Sequence, residues 1–433
     1  MSLTVGILYV VGGLLALLVA GVPFAFSMGM VGIIGLFVVG GTGMLSAIGQ
    51  IAWWNLTSFI LIAVPLFIFM GEVIMQAGMS SDLYRAFGKW TSRLPGGMAV
   101  GGIAACTLFS AISGSSTACA ATIGVAAIPE MERRGYDRKL IFGSLAAGGT
   151  LGILIPPSIP MIVYGAMTGQ SVGTLFIAGI LPGLMLAGLF SLYIVVAAAR
   201  KPGIAPSLGR VTWWERLVAL KGVAPSALLI IVILGGIYTG IVTPTESAAV
   251  GCVASLVLAL VGRRLNWNIM RQSLLATVQT CGMVFMIFIG AQIMSYFLSS
   301  TRLPQQVGEI ILSRDMSPWM VFMFVAVMYI IMGCFIDGLS MMLMTISTVF
   351  PIMTQAGFDP VWFGIVMVIL IEIGLLTPPV GINLFVIQGI SGGRPLGEVV
   401  AGAIPFVGLQ LIGLALITVF PAIALWLPSM MMK

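Results

Sequence analysis

The 433-residue sequence contains no histidine. That removes the commonest general base and the commonest zinc ligand, so His-dependent triads and zinc hydrolases are excluded. Charge is nearly as scarce: Asp, Glu, Lys and Arg make up 7% of the chain, against about 25% in a soluble domain. So few charges cannot clothe a water-facing surface, which excludes a soluble enzyme and a nucleic-acid-binding domain. The five cysteines (Cys106, Cys119, Cys252, Cys281, Cys334) show no CxxC spacing. That speaks against a metal centre, a haem site or a disulfide framework and for small apolar packing residues. The first apolar stretch has no basic leader and no small-residue cleavage site, so it reads as a span rather than a signal peptide.

What the chain has is apolar length: 60% of it is hydrophobic, and about 20 apolar residues cross a bilayer. Apolar segments run at 4–20, 24–41, 58–78, 97–129, 140–168 and 174–199, then at 223–242, 246–262, 277–299, 318–355, 361–390 and 400–427. Segments 97–129 and 318–355 are too long and too interrupted for one helix. If both are re-entrant hairpins, 16 of the 19 Lys and Arg fall on one face, all but Arg302, Arg314 and Lys433. If each crosses once, the split weakens to 13 against 6. The positive-inside bias therefore selects the hairpins. This predicts an all-α polytopic membrane protein of two repeats, 1–199 and 223–433, joined by a cytoplasmic connector at 200–222. Each repeat has five full crossings and one hairpin, and both termini are periplasmic. Trp53-Trp54 and Trp213-Trp214 read as interface anchors. The stretch 79–95 reads as an interfacial helix that braces a moving part against a fixed one. The 29 methionines are scattered and read as core filling rather than soft-metal ligands.

A displacement of 222 residues superimposes the halves without a gap over 29 positions. Pro129 falls on Pro351, Met131 on Met353, Gly135 on Gly357 and Asp137 on Asp359. Gly152 falls on Gly374, Leu154 on Leu376, and Pro156-Pro157 on Pro378-Pro379. Chance in so biased a composition gives roughly two or three such identities rather than eight. The same register sets Ser115 opposite Asp337. Five crossings is an odd number, so the copies point in opposite directions; a miscounted span would make them parallel instead. Inverted repeats with broken helices are a plan of secondary transporters, with substrate and ion near mid-membrane.

The motif G-x-L-x-P-P occurs twice, as Gly152 to Pro157 and as Gly374 to Pro379. Proline lacks an N–H and clashes with the carbonyl four residues back. The carbonyls of Gly152, Ile153, Gly374 and Leu375 are therefore expected to leave the helix ladder. In hydrocarbon, broken backbone persists only against protein, water or a ligand. A hard monovalent cation such as sodium is one such ligand; a kink repaired by neighbouring helices is the structural alternative. Recurrence at one register favours a cation site in each half. The oxygen donors are expected from Ser115, Thr117, Gly152 and Pro156, and from Asp337, Gly338, Gly374, Thr377 and Gly381.

At the first hairpin tip, Ser113-Gly114-Ser115-Ser116-Thr117 offers hydroxyls, a glycine turn and a helix N-terminus suited to a carboxylate. Small-residue helix packing is the alternative for such a run. Ser113, Gly114, Ser115, Ser116 and Asn383 are the candidate substrate contacts. Asp337 places a carboxylate inside the apolar run CFIDGLSMMLM, and intramembrane acids are functional candidates by default. It is expected to neutralise sodium or to titrate as a proton site. Glu372 follows the same logic; Glu72 and Glu246 lie near span ends, where a structural role competes. No Lys or Arg lies deep in a span, so a substrate carboxylate would be met by hydroxyls and helix N-termini.

The runs SGSSTACAATIGVAAIPEMERRGYD, GILIPPSIPMIVYG and GLLTPPVGINLFV together resemble the large membrane subunit of TRAP (tripartite ATP-independent periplasmic) transporters over essentially the whole chain. The resemblance implies a sodium-driven importer of an organic acid in the bacterial inner membrane. Its implied partners are a periplasmic binding protein and a small four-helix membrane subunit. It also implies an elevator mechanism, with a moving part at about 96–195 and 318–425 and a scaffold at about 1–60 and 223–275. It pairs Ser113–Thr117 with the break at Gly374–Asn383, and Asp337-Gly338 with the break at Gly152–Pro157. Many members with C4-dicarboxylate substrates carry an acid just after the serine motif, where Cys119 stands here. A sialic acid-like sugar acid is therefore expected as readily as a dicarboxylate. The competing readings are a stand-alone proton- or sodium-coupled anion carrier and, more remotely, an intramembrane protease. No cofactor is expected beyond the coupling ions.

Overall fold

A computed structural model describes residues 3–206, 211–303, 305, 306, 309 and 316–431. Arg210, Arg314 and Lys433, counted in the charge asymmetry, lie outside the described residues. All regular structure among the described residues is helical. The first half comprises α1 (Leu3–Val19), α2 (Phe24–Leu45), α3 (Ala47–Leu56), α4 (Ala63–Gln76), α5 (Met79–Trp90), α6 (Gly97–Ser113), α7 (Ser116–Arg133), α8 (Arg138–Thr150), α9 (Ile159–Thr168) and α10 (Val172–Arg200). The second comprises α11 (Trp213–Tyr238), α12 (Pro244–Val261), α13 (Trp267–Ser300), α14 (Pro318–Gly333), α15 (Gly338–Gln355), α16 (Pro360–Leu376), α17 (Ile382–Ile390), α18 (Leu396–Val419) and α19 (Ala422–Met431).

Both interrupted segments are helical hairpins, α6–α7 and α14–α15, and both proline motifs split a helix, α8 from α9 and α16 from α17. The 222-residue register persists in the element boundaries: α7 and α15 begin at Ser116 and Gly338, α8 and α16 at Arg138 and Pro360. It persists in the caps as well. Ser115 and Asp337 accept from the first-turn amides of α7 and α15, and Asp137 and Asp359 do the same for α8 and α16. The sequence did not resolve α3, nor the length of α13. At about 1.5 Å per residue, its 34 residues exceed the thickness of a hydrocarbon core, so it must tilt or protrude.

Among the described residues, eight helices are long and apolar enough to cross a membrane, including α2, α10, α11, α12, α13 and α18. Much apolar surface faces outward, for example Leu8, Val19, Ile231 and Phe324, as lipid-facing helices require. Trp53, Trp54, Trp213 and Trp214 are exposed, consistent with anchoring. Without a hydrophobic force between helices in lipid, small residues set the contacts. Gly143 and Gly402 are pressed so closely together that a Cβ on either would overlap backbone, which welds α8 to α18. Gly290 of α13 packs so tightly on α2 that a Cβ would overlap the Ala25 carbonyl, and Gly32 of α2 lies against Ile293 and Met294 of α13. On α12, the Cys252 thiol donates to the Leu66 carbonyl of α4 (3.0 Å). Each of these interfaces joins a helix of the first half to one of the second, so the repeats interlock. The five cysteines are buried and free.

The stretch 79–95 forms the amphipathic α5, which buries Met79, Leu83 and Tyr84 and exposes Arg85 and Lys89. Trp90 Nε1 donates to the Arg216 carbonyl (3.0 Å), and the Arg216 guanidinium donates to Ser92 Oγ (3.2 Å). Asp82 accepts from Arg264 (2.6 Å). The helix thus ties the start of α11 and the α12–α13 loop to the foot of the first hairpin.

Candidate functional site

The two hairpin tips meet in one cavity of about 680 Å³. Ser113 to Thr117 line it from the first tip, Asp337 and Gly338 from the second. Gly114 turns the first tip with a left-handed φ of +59°, and a Cβ there would lie 2.9 Å from the Pro157 carbonyl. Ser115 Oγ lies 3.3 Å from Thr117 Oγ1 and caps α7 through Ala118 N (3.4 Å). Asp337 Oδ1 caps α15 through Ser340 N (3.0 Å). The first-turn residues of α7 and α15 therefore face the cavity, and a helix start suits an anion.

Gly152, Pro156, Gly374, Thr377 and Gly381 are not among the cavity's lining residues; they sit behind the tips. A Cβ on Gly152 would overlap the Ser115 carbonyl, and one on Gly374 would lie 2.5 Å from Gly333 Cα. Val380 N donates to the Cys334 carbonyl (3.1 Å). At Gly152, Gly374 and Val380 each break thus rests on the tip of its own repeat, whereas the family resemblance paired it with the opposite one; that opposite pairing is met at Asn383, the end of the second break. The reason is geometric. The turns at 134–137 and 356–359 lie nearly equidistant in sequence from the tip on one side and the break on the other. Antiparallel helices of equal rise then bring both to one depth. The link between repeats runs through Asn383 instead: its amide donates to Ser116 Oγ (2.7 Å) and to the Ala146 carbonyl (3.2 Å).

Two of the four carbonyls expected to be free have donors. Ser158 Oγ donates to the Ile153 carbonyl, and Thr377 N to that of Gly374 (3.1 Å). Thr377 Oγ1 donates to the Ile373 carbonyl (2.6 Å). The sequence missed that polar side chains beside each break would refill the ladder. Orphaned oxygens appear elsewhere. Asn383 Oδ1 and Ser340 Oγ are buried without a hydrogen-bond partner among the described residues, one beside each tip. A buried polar atom left unpaired is costly, so a small cation with oxygen ligands fits this donor set.

Glu372 is fully buried in α16, with neither carboxylate oxygen partnered among the described residues, and it does not line the cavity. Glu246 closes a capping box with Thr243 at the start of α12, a structural role. Glu72 lines the cavity from α4, and Thr280 and Met283 line it from α13. Sequence reasoning undervalued Glu72 because its span appeared to end there; that end faces the hairpin tip rather than water. Cys119 is buried against Ser110 Oγ and the Cys106 carbonyl, inside the hairpin. Facing away from the cavity, it does not by itself select a substrate.

Residues 11–423 match the family model described as "Tripartite ATP-independent periplasmic transporter, DctM component". The chain is 38% identical to the C4-dicarboxylate TRAP transporter large permease protein DctM of Pseudomonas aeruginosa, over 86% of each chain. It is 32% identical to the ectoine TRAP transporter large permease protein TeaC of Halomonas elongata, over 96% of this chain and 97% of that one. Among solved structures it resembles the Alcanivorax borkumensis YdaH transporter, with a TM-score of 0.63, 12% identity, and coverage of 93% and 96%; that likeness concerns the fold. The chain belongs to the DctM family of large TRAP transporter permeases.

Proposed function

We propose that this DctM-family chain is the membrane pathway of a sodium-coupled importer of organic acids. A periplasmic binding protein delivers the substrate, and a small four-helix subunit accompanies the chain in the bacterial inner membrane. Both termini lie in the periplasm. The observation that carries the reading is the pairing of two hairpin tips around one cavity, each tip with an orphaned buried oxygen beside it. One sodium ion is held near Ser115, Thr117, Asn383 and the Gly152–Pro156 loop. The other is held near Asp337, Gly338, Ser340 and the loop through Gly374, Thr377 and Gly381. These ions supply positive charge against which the substrate carboxylate rests, at the Ser113–Ser116 tip that the buried Asn383 supports from behind. The relatives' substrates range from C4-dicarboxylates to ectoine, which share a carboxylate.

Movement is of the elevator type. The welded contacts α8–α18, the α17 residue Asn383 against α7, and the Tyr164–Phe350 edge contact between α9 and α15 support one body at about 96–195 and 318–425. The contacts α2–α13 and α4–α12 support a scaffold that includes 1–60 and 223–275, with α5 as the brace between bodies. The test is uptake into proteoliposomes holding this chain, its small subunit and its binding protein. Uptake is expected to collapse when the sodium gradient is removed; uptake unaffected by that removal would overturn the coupling.

A further inference from the structure

Among the described residues, the cavity between the hairpin tips is lined by two carboxylates and no base. Asp337 lines it from the second tip and Glu72 from α4, while no Lys or Arg is among its lining residues and the sequence holds no histidine. Asp337 has a role in the proposed cation site; Glu72 has none. It caps no helix, because α4 starts from Ile62. Its neighbour Gly71 marks the close approach of α4 to the first hairpin, where a Cβ would lie 3.2 Å from Ser113 Cα. Glu72 is thereby held beside the tip that is proposed to receive the substrate. Its Oε2 is buried without a hydrogen-bond partner among the described residues, and Gln76, one turn on, is a polar neighbour of the carboxyl. The surrounding wall is apolar, with Phe109, Ile159, Met283, Val284, Leu375 and Ile382.

Charge balance then restricts the solute. Two sodium ions against the carboxylates of Asp337 and Glu72 leave no net charge. A monocarboxylate adds one negative charge to this largely apolar cavity and a dicarboxylate adds two, and uncompensated charge against an apolar wall is disfavoured. A solute with one carboxylate and one cationic group adds none. We infer that Glu72 is a specificity residue that pairs with a cationic group. The substrate is accordingly a small zwitterion: a carboxylate combined with an ammonium, quaternary ammonium or amidinium group. The carboxylate faces the hairpin N-termini and the cation faces α4. A cavity of about 680 Å³ accommodates such a solute.

This inference rests on the proposed transport reading, and one experiment separates the two. The solubilised complex of the chain with its small subunit is unfolded thermally, without binding protein, so that the membrane cavity alone selects. Ectoine and glycine betaine serve as zwitterionic probes, succinate and N-acetylneuraminate as anionic ones, in sodium and in potassium buffer. A zwitterion is expected to raise Tm in the wild type, and the anions are not. In Glu72→Gln the half-stabilising concentration is expected to rise about tenfold or more, as for loss of a charge-assisted contact. Glu72→Asp, which keeps the charge, is expected to recover part of the effect. Equal stabilisation by succinate or N-acetylneuraminate, no effect of either zwitterion, or an unchanged response in Glu72→Gln overturns the inference. The sodium-dependent shift without solute reports the cation cage separately. Its absence beside an intact, Glu72-dependent zwitterion effect would remove the coupling and leave the selectivity standing.

Discussion

Asp337 carries two duties that substitution can separate. As the N-cap of α15 it accepts from Ser340 N, and on the proposed cation site it would also supply a carboxylate charge at the tip. Asparagine caps a helix nearly as well as aspartate, whereas alanine forfeits about 0.5–2 kcal/mol. Asp337→Asn is therefore expected to keep its thermal stability while the sodium concentration for half-maximal uptake rises about tenfold, or roughly 1.4 kcal/mol. Asp337→Ala is expected to lose both. A sodium response in Asp337→Asn equal to the wild type would leave Asp337 as a cap alone. Asn383→Ala removes two hydrogen bonds that join the repeats and strands the Ser116 hydroxyl, a loss of about 1–3 kcal/mol that thermal unfolding would register. The acids were visible in the sequence as unusual residues. Glu246 was legible as a local cap, three residues after Thr243, whereas Glu72 became a cavity wall and Glu372 a core residue through neighbours distant in sequence.

At the level of helices, tight glycine contacts hold the assembly together, and each has a matched control. A methyl group on Gly402 would overlap the Lys139 carbonyl across the α8–α18 seam, whereas Gly408 in the same helix has open space around it. Gly402→Ala is expected to cost about 1–3 kcal/mol, as overpacking does; Gly408→Ala is expected to change stability by less than about 0.5 kcal/mol. Equal melting of the two variants in detergent would contradict the packing account. Gly152→Ala pushes the first break off the Ser115 carbonyl and is expected to abolish uptake, while Gly188→Ala, with nothing near its Cβ, is not. The hairpins and broken helices could be read from the sequence because SGSST, Asp337 and the Pro-Pro motifs interrupt apolar runs abruptly. The pairing of break with tip could not be read by analogy, although the equal spacing about residues 134–137 and 356–359 held the answer. The refilling of the Ile153 carbonyl by Ser158 depends on a rotamer that a sequence does not declare.

Across the whole molecule, the repeat is the feature from which the rest descends. The 222-residue register recovers helix starts, caps, hairpin tips and breaks, and the interlocked contacts explain why neither half is a separate body. The charge asymmetry adds a direction. Basic residues gather around Arg133, Arg134, Arg138 and Lys139 at the α7–α8 turn, whereas the equivalent turn after α15 has Gln355 and Asp359 and no base. A cleft of about 910 Å³ lined by Asp82, Arg85, Lys89, Glu130 and Arg134 opens beside that basic turn, between α5, α7 and α11. On the proposed movement its volume is expected to change as the hairpin body slides past the α5 brace.

Arg133 and Gln355 occupy equivalent places 222 residues apart, both exposed at the ends of α7 and α15, and the native cysteines are buried. Arg133→Cys and Gln355→Cys can therefore be probed one at a time with a membrane-impermeant thiol reagent, added to right-side-out and to inside-out vesicles. Mirrored repeats predict that Arg133→Cys reacts only from the cytoplasmic side and Gln355→Cys only from the periplasmic side. Reaction of both from one compartment would contradict the inversion and, with it, the paired cation sites.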